Sequence, residues 1–421
     1  MSEVSPNIRD AIVLCAGEGT EMRPISDGVP KSMLHLMGKS VLHRILEGLH
    51  DSSVRRVIVV HGSTSDDLLA EAKNVCGELG LEVGFAQQRE SGVLGAVKAA
   101  AKILRPKLGG SSFLLAYGDI VASKGFYPSV VDAAGAGGYP TAAVVALKEP
   151  KTYGSVFTNS EGFVEKIVEK PTEEETSTRV LAGAFVLPPD FFEFCADASD
   201  FVDALTKFSK SFLLSTSIWN GAWVDLGFPW DLTTAASKLQ ETMSAGSVDS
   251  SAKISSSAVI EQPVVIEAGA TIEHFAVIRG PAYIGRNAYV GTCALVHGGS
   301  SLEEGVRVGA YSEVSSSVIQ PHTYIGTGCF IGNSVVGREV VFEPHVTTVS
   351  TLESDEKQEY ARLEPVIREG RAVSKLGAII GNRARLGVGS VMYPGTIVQS
   401  SESVPANTVL NRRERRRKST S

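Results

Sequence analysis

The first residues able to do chemistry lie in LCAGEGTEMRP, Leu14–Pro24, where Gly17 and Gly19 follow directly on the apolar run AIVLCA. Glycines at the exit of a strand let backbone N–H groups approach a phosphate without a Cβ in the way. Two commoner phosphate motifs do not fit. Met22 holds the third glycine place of GxGxxG, and Met33 stands where a P-loop ending at Gly38-Lys39-Ser40 needs glycine. The glycines alone leave two readings, a turn that approaches a phosphate and a tight turn with no ligand.

The elements that must hold this turn are legible in the alternation that follows. Short β-branched runs (AIVLCA, RRVIVVHG, LEVGFA, SFLLAYGD) alternate with amphipathic segments (SVLHRILEGLH, SDDLLAEAKNVCGEL, GAVKAAAKIL) from residue 10 to about 150. That is the pattern of βαβ units, whose right-handed crossovers build a doubly wound sheet with ligands beyond the carboxyl ends of its strands. Functional residues are therefore expected just after strands. From 151 to about 229 the chain becomes irregular and strand-rich (YGSVFTN, GFVEKIVEK, VLAGAFVL), as expected of an insertion that walls the site.

Several short motifs follow one another in order: Leu14-Cys15-Ala16-Gly17-Glu18-Gly19-Thr20, Pro30-Lys31-Ser32-Met33, Gly38-Lys39, Gln87 before Gly92, and Gly118-Asp119. They continue with Tyr153-Gly154, Glu169-Lys170-Pro171, Ala182-Gly183 and WVDLGFPWDL from Trp223. Over about 10–235 the chain resembles the sugar-1-phosphate nucleotidylyltransferases, whose signature runs approximately LAAGxGTRMxPLT, then PKxM, then GK. In that family a sugar phosphate oxygen attacks the α-phosphorus of a nucleoside triphosphate and pyrophosphate leaves, so catalysis rests on positioning and charge neutralisation. The resemblance implies that Leu14, Ala16, Gly17, Gly19 and Thr20 contact the nucleotide and that Gln87 and Gly92 face its base. It assigns Lys31 and Arg23 to the triphosphate and Lys170 to the sugar phosphate. Gly154, Glu169 and Gly183 fall to the sugar, and Asp119 and Asp225 to Mg2+, which prefers hard oxygen ligands.

One position departs from the signature: Glu21 stands where the family has arginine. The exchange shifts the local charge by two units toward repulsion of a triphosphate. At an effective dielectric of about 20, a unit-charge contact near 4 Å is worth about 4 kcal/mol before screening. Val93 and Leu94 after Gly92, and Ala182 where uridyltransferases for acetylated sugars often carry asparagine, leave base and sugar open.

After a serine-rich stretch, Gly246–Ser251, aliphatic residues recur at every sixth position: Ile254, Ile260, Ile266, Ile272 and so on to Val314. The frame slips once, resumes at Ile319, Ile325 and Ile331, and returns as Ile380, Leu386, Met392, Val398, Val404 and Leu410. A helix would require a period of 3.6. Hexads instead predict a left-handed parallel β-helix, three hexads to a triangular coil, with the aliphatic pointing inward. The charged segment at about 352–375 breaks the period and is expected to protrude.

A nucleotidylyltransferase domain followed by hexads resembles the archaeal-type bifunctional enzymes that acetylate an amino-sugar phosphate and couple it to a nucleotide. The resemblance implies a homotrimer or higher homo-oligomer, and acetyl-CoA where acetyl transfer is retained. Acetyl transfer needs a general base. The family's PHLNYVGDS-like stretch aligns with Gly326–Ser334, which puts Thr327 at the histidine and Phe330 at the tyrosine. The family's downstream asparagine is replaced as well, in FEPHVTTVSTLES. His322 and His345 are the nearby replacements.

A formal net charge of −7 on 421 residues argues against a general nucleic-acid binder. Five scattered cysteines without a CxxC pair argue against a zinc site or disulfide framework. No apolar stretch is long enough to span a bilayer and the first residues are polar, so a cytoplasmic protein is expected.

The expected fold is thus α/β: a doubly wound mixed-sheet nucleotidyltransferase domain (1–235), a linker helix and serine-rich linker (236–252), a left-handed parallel β-helix (253–411) and a basic tail (412–421). The expected activity is Mg2+-dependent coupling of a hexose- or N-acetylhexosamine-1-phosphate to UTP or dTTP, UDP-N-acetylglucosamine being one such product. The rival is a degenerate regulatory member that binds nucleotide sugars.

Overall fold

A computed structural model of the chain describes residues 8–63, 66–147, 153–169, 177–243, 245–350 and 376–411. Lys170, the charged excursion and the basic tail lie outside them. Two compact units emerge. One comprises the chain up to Glu18, Pro30–Met33 and Val41–Asp225; the other comprises Gly19–Val29, Leu34–Ser40 and the chain from Leu226 onward. The sequence reading keeps residues 1–235 together ahead of a linker and the coil, whereas the contacts assign two short N-terminal segments to the second unit.

The first unit is built on a mixed sheet. Its strands run in the order Val164–Val168, Ser155–Thr158, Arg179–Leu187, Phe113–Tyr117, Asp10–Leu14, Arg56–His61, Glu82–Gln87. Asp10–Leu14 pairs in parallel with both Arg56–His61 and Phe113–Tyr117, while Arg179–Leu187 runs antiparallel to Phe113–Tyr117. The chain moves outward from Asp10–Leu14 through Arg56–His61 to Glu82–Gln87, then crosses to the other side of the first strand. Leu14 and Tyr117 therefore bracket the switch point, where doubly wound sheets open a crevice. Helices form because their apolar residues fall on one face. Val41, Leu42, Ile45, Leu46 and Leu49 of Val41–Asp51 are buried at helical spacing. Phe113, Phe185, Phe191 and Phe208 are all fully buried in the core.

The second unit is a left-handed β-helix of three eight-stranded parallel sheets. Its interior is a set of aliphatic columns. In one of them Ile266, Ile284, Leu302, Ile319, Val336, Ile380 and Val398 stack directly, coil on coil. None of these is more than 1% exposed. The slip read at Ile319 recurs at Val336, since both coils are one residue shorter than those before. The excursion falls between Val336 and Ile380, and the column closes across it. Ser247–Val248 already pairs with Val265–Ile266, so the ladder begins inside the serine-rich stretch. Corners use left-handed backbone, as at Asn287, His322 and His345. Gly19–Val29 and Leu34–Ser40 hydrogen-bond to side chains of the coils, and the helix Asp231–Glu241 is held at its start by Asp231 Oδ2, which accepts from Gly227 N and Phe228 N at 2.9 and 2.7 Å. Among the described residues no helix is long and apolar enough to cross a membrane.

Candidate functional site

In the first unit the strand ends are stitched together. Gly118 N–H donates to Leu14 O at 3.0 Å and Cys15 N–H to Val60 O at 2.8 Å. A Cβ on Gly118 would collide with Leu14 O and lie 2.7 Å from Cys15 Sγ, so only glycine allows this approach. Gly17 is exposed and faces open space; Ala16 and Leu14 are half-buried beside it. Lys31 begins a single turn of 3-10 helix, and its Nζ lies 3.9 Å from Asp119 Oδ2.

The two aspartates approach through a short ladder. Ile120–Ala122 pairs antiparallel with Trp223–Asp225, and Asp225 sits opposite Ile120. Asp119 is thus the next residue along, and both carboxylates come to one end of the ladder. The Asp119 carboxyl is pushed up by burial, with Lys31 opposing the shift. Tyr117 reports the grouping independently. Its hydroxyl is held far above its ordinary value by burial and by the carboxylates of Glu169, Asp119 and Asp225. Sequence reasoning passed over Tyr117, because a tyrosine ending a strand carries no signal of its own.

The residues assigned to the sugar adjoin the same group. Val168 pairs with Ser155, so Gly154 and Glu169 flank the next step of the hairpin, and a Cβ on Gly154 would lie 3.1 Å from Glu169 Oε2. Gly183 has φ +76, and its Cβ would meet Ile120 Cγ1 at 2.9 Å and Tyr117 Cβ at 3.1 Å. Trp223 Nε1–H donates to Ala182 O at 3.0 Å and its ring contacts Tyr153 at 5.8 Å. The residues assigned to the base sit at the end of a neighbouring strand. Gln87 is exposed there, and Gly92, with φ +81, opens the helix Gly92–Leu104. Gln88 shapes the loop between them by donating to Glu90 O and Gly92 O at 2.6 and 2.8 Å.

In the second unit Gly19 adopts left-handed backbone and leads into a 3-10 turn, Thr20–Met22. Ser26 Oγ donates to Gly19 O at 2.7 Å. Thr20, Glu21 and Arg23 are exposed, and Arg23 Nε pairs with Asp27 Oδ1 at 3.4 Å. Part of Arg23's charge is therefore answered within its own turn.

His322 and His345 occupy corners of the same kind, each with left-handed backbone after a proline, but between different pairs of sheets. Each is exposed and stacks over a glycine of the coil before, Gly305 and Gly328 respectively. On the coil a third histidine stands beside a carboxylate: His297 Nε2 lies 3.0 Å from Glu313 Oε1, on adjacent coils. The hexad pattern hides that pair, since the two residues are 16 positions apart.

The nucleotidyl transferase family matches residues 10–242. The bacterial transferase hexapeptide matches 263–298, and the GlmU-like C-terminal hexapeptide matches 289–367. The chain is 30% identical to the bifunctional protein GlmU of Methanococcus maripaludis over 413 residues, covering 96% of this chain and 94% of that one. It is 29% identical to the bifunctional protein GlmU of Methanocaldococcus jannaschii, with 96% and 95% covered. It is 26% identical to a bifunctional sugar-1-phosphate nucleotidylyltransferase/acetyltransferase of Sulfurisphaera tokodaii, with 96% and 97% covered. The strand-end glycines, the paired aspartates and the hexad columns are thus the features of a chain that belongs to the nucleotidyl transferase family and carries a GlmU-like hexapeptide domain.

Proposed function

We propose that the chain is a Mg2+-dependent nucleotidylyltransferase that couples a hexose- or N-acetylhexosamine-1-phosphate to UTP or dTTP and releases pyrophosphate. The observation that carries this reading is the convergence of Lys31, Asp119 and Asp225 at the carboxyl ends of the sheet. Two carboxylates at one end of a ladder form a hard-oxygen pair, and that donor set fits Mg2+ completed by phosphate oxygens. Asp119 and Asp225 would hold the ion, whose contribution when bound is to neutralise phosphate charge. Lys31 would answer the charge of the triphosphate. Backbone N–H groups around Gly17 would approach the phosphates where no side chain obstructs them. Glu169 and the open edge at Gly154 would orient the sugar hydroxyls, so that the phosphate oxygen meets the α-phosphorus in line. Lys170 is assigned to the sugar phosphate by the signature alone.

Pyrophosphate release across four nucleoside triphosphates and several sugar-1-phosphates, with Asp119→Asn as control, tests the reading. Silence throughout, with nucleotide-sugar binding intact, would favour the degenerate regulatory member instead. Glu21 and Thr327 support that rival; two metal-type carboxylates and the retained lysine oppose it. The same reading makes the protein a cytoplasmic homotrimer or higher homo-oligomer, which light scattering tests.

Acetyl transfer by the β-helix is a second reading, favoured by the His297–Glu313 pair. A carboxylate on one ring nitrogen orients the ring and leaves the other nitrogen to face a substrate, as a general base requires. Thiol release from acetyl-CoA with glucosamine-1-phosphate, retained in His345→Asn and lost in His297→Asn, is its test.

A further inference from the structure

The outer half of the phosphate loop, Gly19–Val29, is held by polar side chains of the β-helix. Asn382 Nδ2 donates to Ile25 O at 2.9 Å and to Asp27 O at 3.0 Å, and its Oδ1 accepts from Arg338 N–H at 3.0 Å. Every hydrogen-bonding group of this amide is used, and the residue is only 3% exposed. One coil on, Ser400 Oγ donates to Pro24 O at 2.9 Å. A Cβ on Gly381 would lie 2.5 Å from Ser400 N of the next coil and 2.8 Å from Pro24 Cβ, so this glycine serves the stacking of the coil as well as the approach of the loop. Met22 and Ile25 are fully buried on the inner side of the loop.

The following segment is gripped in the same way. Gln320 accepts from His35 N–H at 3.0 Å and donates to His35 O at 2.7 Å, and the Glu303 carboxylate accepts from Met37 N–H and Gly38 N–H, each at 2.8 Å. A hexad coil needs aliphatics inside and small residues at its corners. Polar groups buried on its outer wall are costly unless paired. Here much of the pairing comes from the two N-terminal segments: the carbonyls of Pro24, Ile25 and Asp27 accept from Ser400 Oγ and Asn382 Nδ2, and the N–H groups of His35, Met37 and Gly38 donate to Gln320 and Glu303.

We infer that Asn382 is a positioning residue for nucleotide binding: through Ile25 and Asp27 it sets the conformation of the loop that carries Gly19, Thr20 and Arg23. The β-helix then contributes to nucleotide binding through this loop, in addition to any role in assembly. The nucleotide half of this inference rests on the function proposed above.

Asn382→Asp in the full chain isolates the effect. The carboxylate keeps an acceptor for Arg338 N–H but replaces the donor with an oxygen facing two carbonyls. Asn407→Asp, the same change at another corner of the coil, is the control. Hydrogen–deuterium exchange over residues 19–29 should accelerate in Asn382→Asp and stay at the wild-type rate in Asn407→Asp. The Kd for Mg2+ and nucleoside triphosphate, by calorimetry, should weaken about tenfold, as expected on losing two neutral hydrogen bonds. Ser400→Ala should do the same to a smaller degree. Unchanged exchange in the loop would overturn the inference, and so would faster exchange with an unaltered nucleotide Kd. A wild-type chain that binds no nucleotide in the panel would instead sink the functional reading and the nucleotide half with it, leaving the exchange experiment to decide whether Asn382 holds the loop.

Discussion

Lys31 Nζ lies 3.9 Å from Asp119 Oδ2, with the two side chains only 16% and 32% exposed. A lysine so close to a partly buried carboxylate serves two purposes before any ligand arrives. It limits the cost of holding the carboxylate charged, and it places a cation where phosphate charge would come. Asp119→Asn removes a charge but little volume. Turnover should fall by a factor of about 1,000 or more, the scale on which losing a preorganised electrostatic contact acts, while the melting temperature changes by only a few degrees. Pyrophosphate release and a thermal scan on the same sample check both halves.

Glu21→Arg should raise the rate. The side chain of Glu21 is exposed, so the effective dielectric around it lies nearer that of water than the value of about 20 typical of pairs near a protein surface. The gain should therefore be roughly five- to thirtyfold in kcat/KM for the nucleotide, and it should shrink with added salt. Steady-state kinetics at low and high ionic strength decide the matter. An unchanged or lower rate would mean that Glu21 does not face the phosphates.

The stacked columns make a stability prediction. Ile319 is fully buried between Leu302 and Val336, and Ile254, at the open end of the coil, is 36% exposed. Ile319→Ala leaves a cavity that neighbouring rungs cannot collapse into, so it should cost about 2–5 kcal/mol, while Ile254→Ala should cost well under half as much. Denaturant unfolding followed by far-UV circular dichroism measures the difference. Equal costs would mean that the interior is loosely packed.

The hexad period made most of the β-helix legible, because every sixth side chain must point inward and the residue type repeats with the geometry; the rung at Ser247–Val248 and the second slip at Val336 fell outside it. The phosphate turn was legible for a similar reason: Gly19 takes left-handed backbone and Gly118 admits the close approach of Leu14 O, both local backbone demands. What escaped were relations between residues distant in sequence whose types are individually ordinary. Tyr117 joins the carboxylate group only because three strands converge on it. Asn382 is an asparagine near a corner, a place where asparagine is common, and nothing local reveals that its amide reaches Ile25 and Asp27. The assignment of Gly19–Val29 to the second unit escaped likewise, since the period of the coil carries no record of what binds its outer wall.

The cysteines test burial by chemistry and by pH. Cys293 is exposed, and Cys15, Cys76, Cys195 and Cys329 are buried. Burial pushes the Cys15 thiol up to about 12, Cys195 to about 12 and Cys76 to about 11, from an ordinary value of 9.0. At neutral pH a disulfide exchange reagent should therefore find one fast thiol in the native protein, lost in Cys293→Ser, and the remaining four only in denaturant. The same shifts have a consequence for stability. A thiol whose folded value is raised binds its proton more tightly when folded, so its contribution is fully present below about pH 9 and is lost as the pH rises toward 11 or 12. Unfolding midpoints should accordingly be insensitive to thiol ionisation up to about pH 8 and decline above pH 9. In Cys15→Ala, which restores the alanine of the signature LAAG, the decline should be shallower. A decline of the same slope in the variant would mean that Cys15 is ionised freely in the folded chain, contrary to its place behind Gly118 and Asp119.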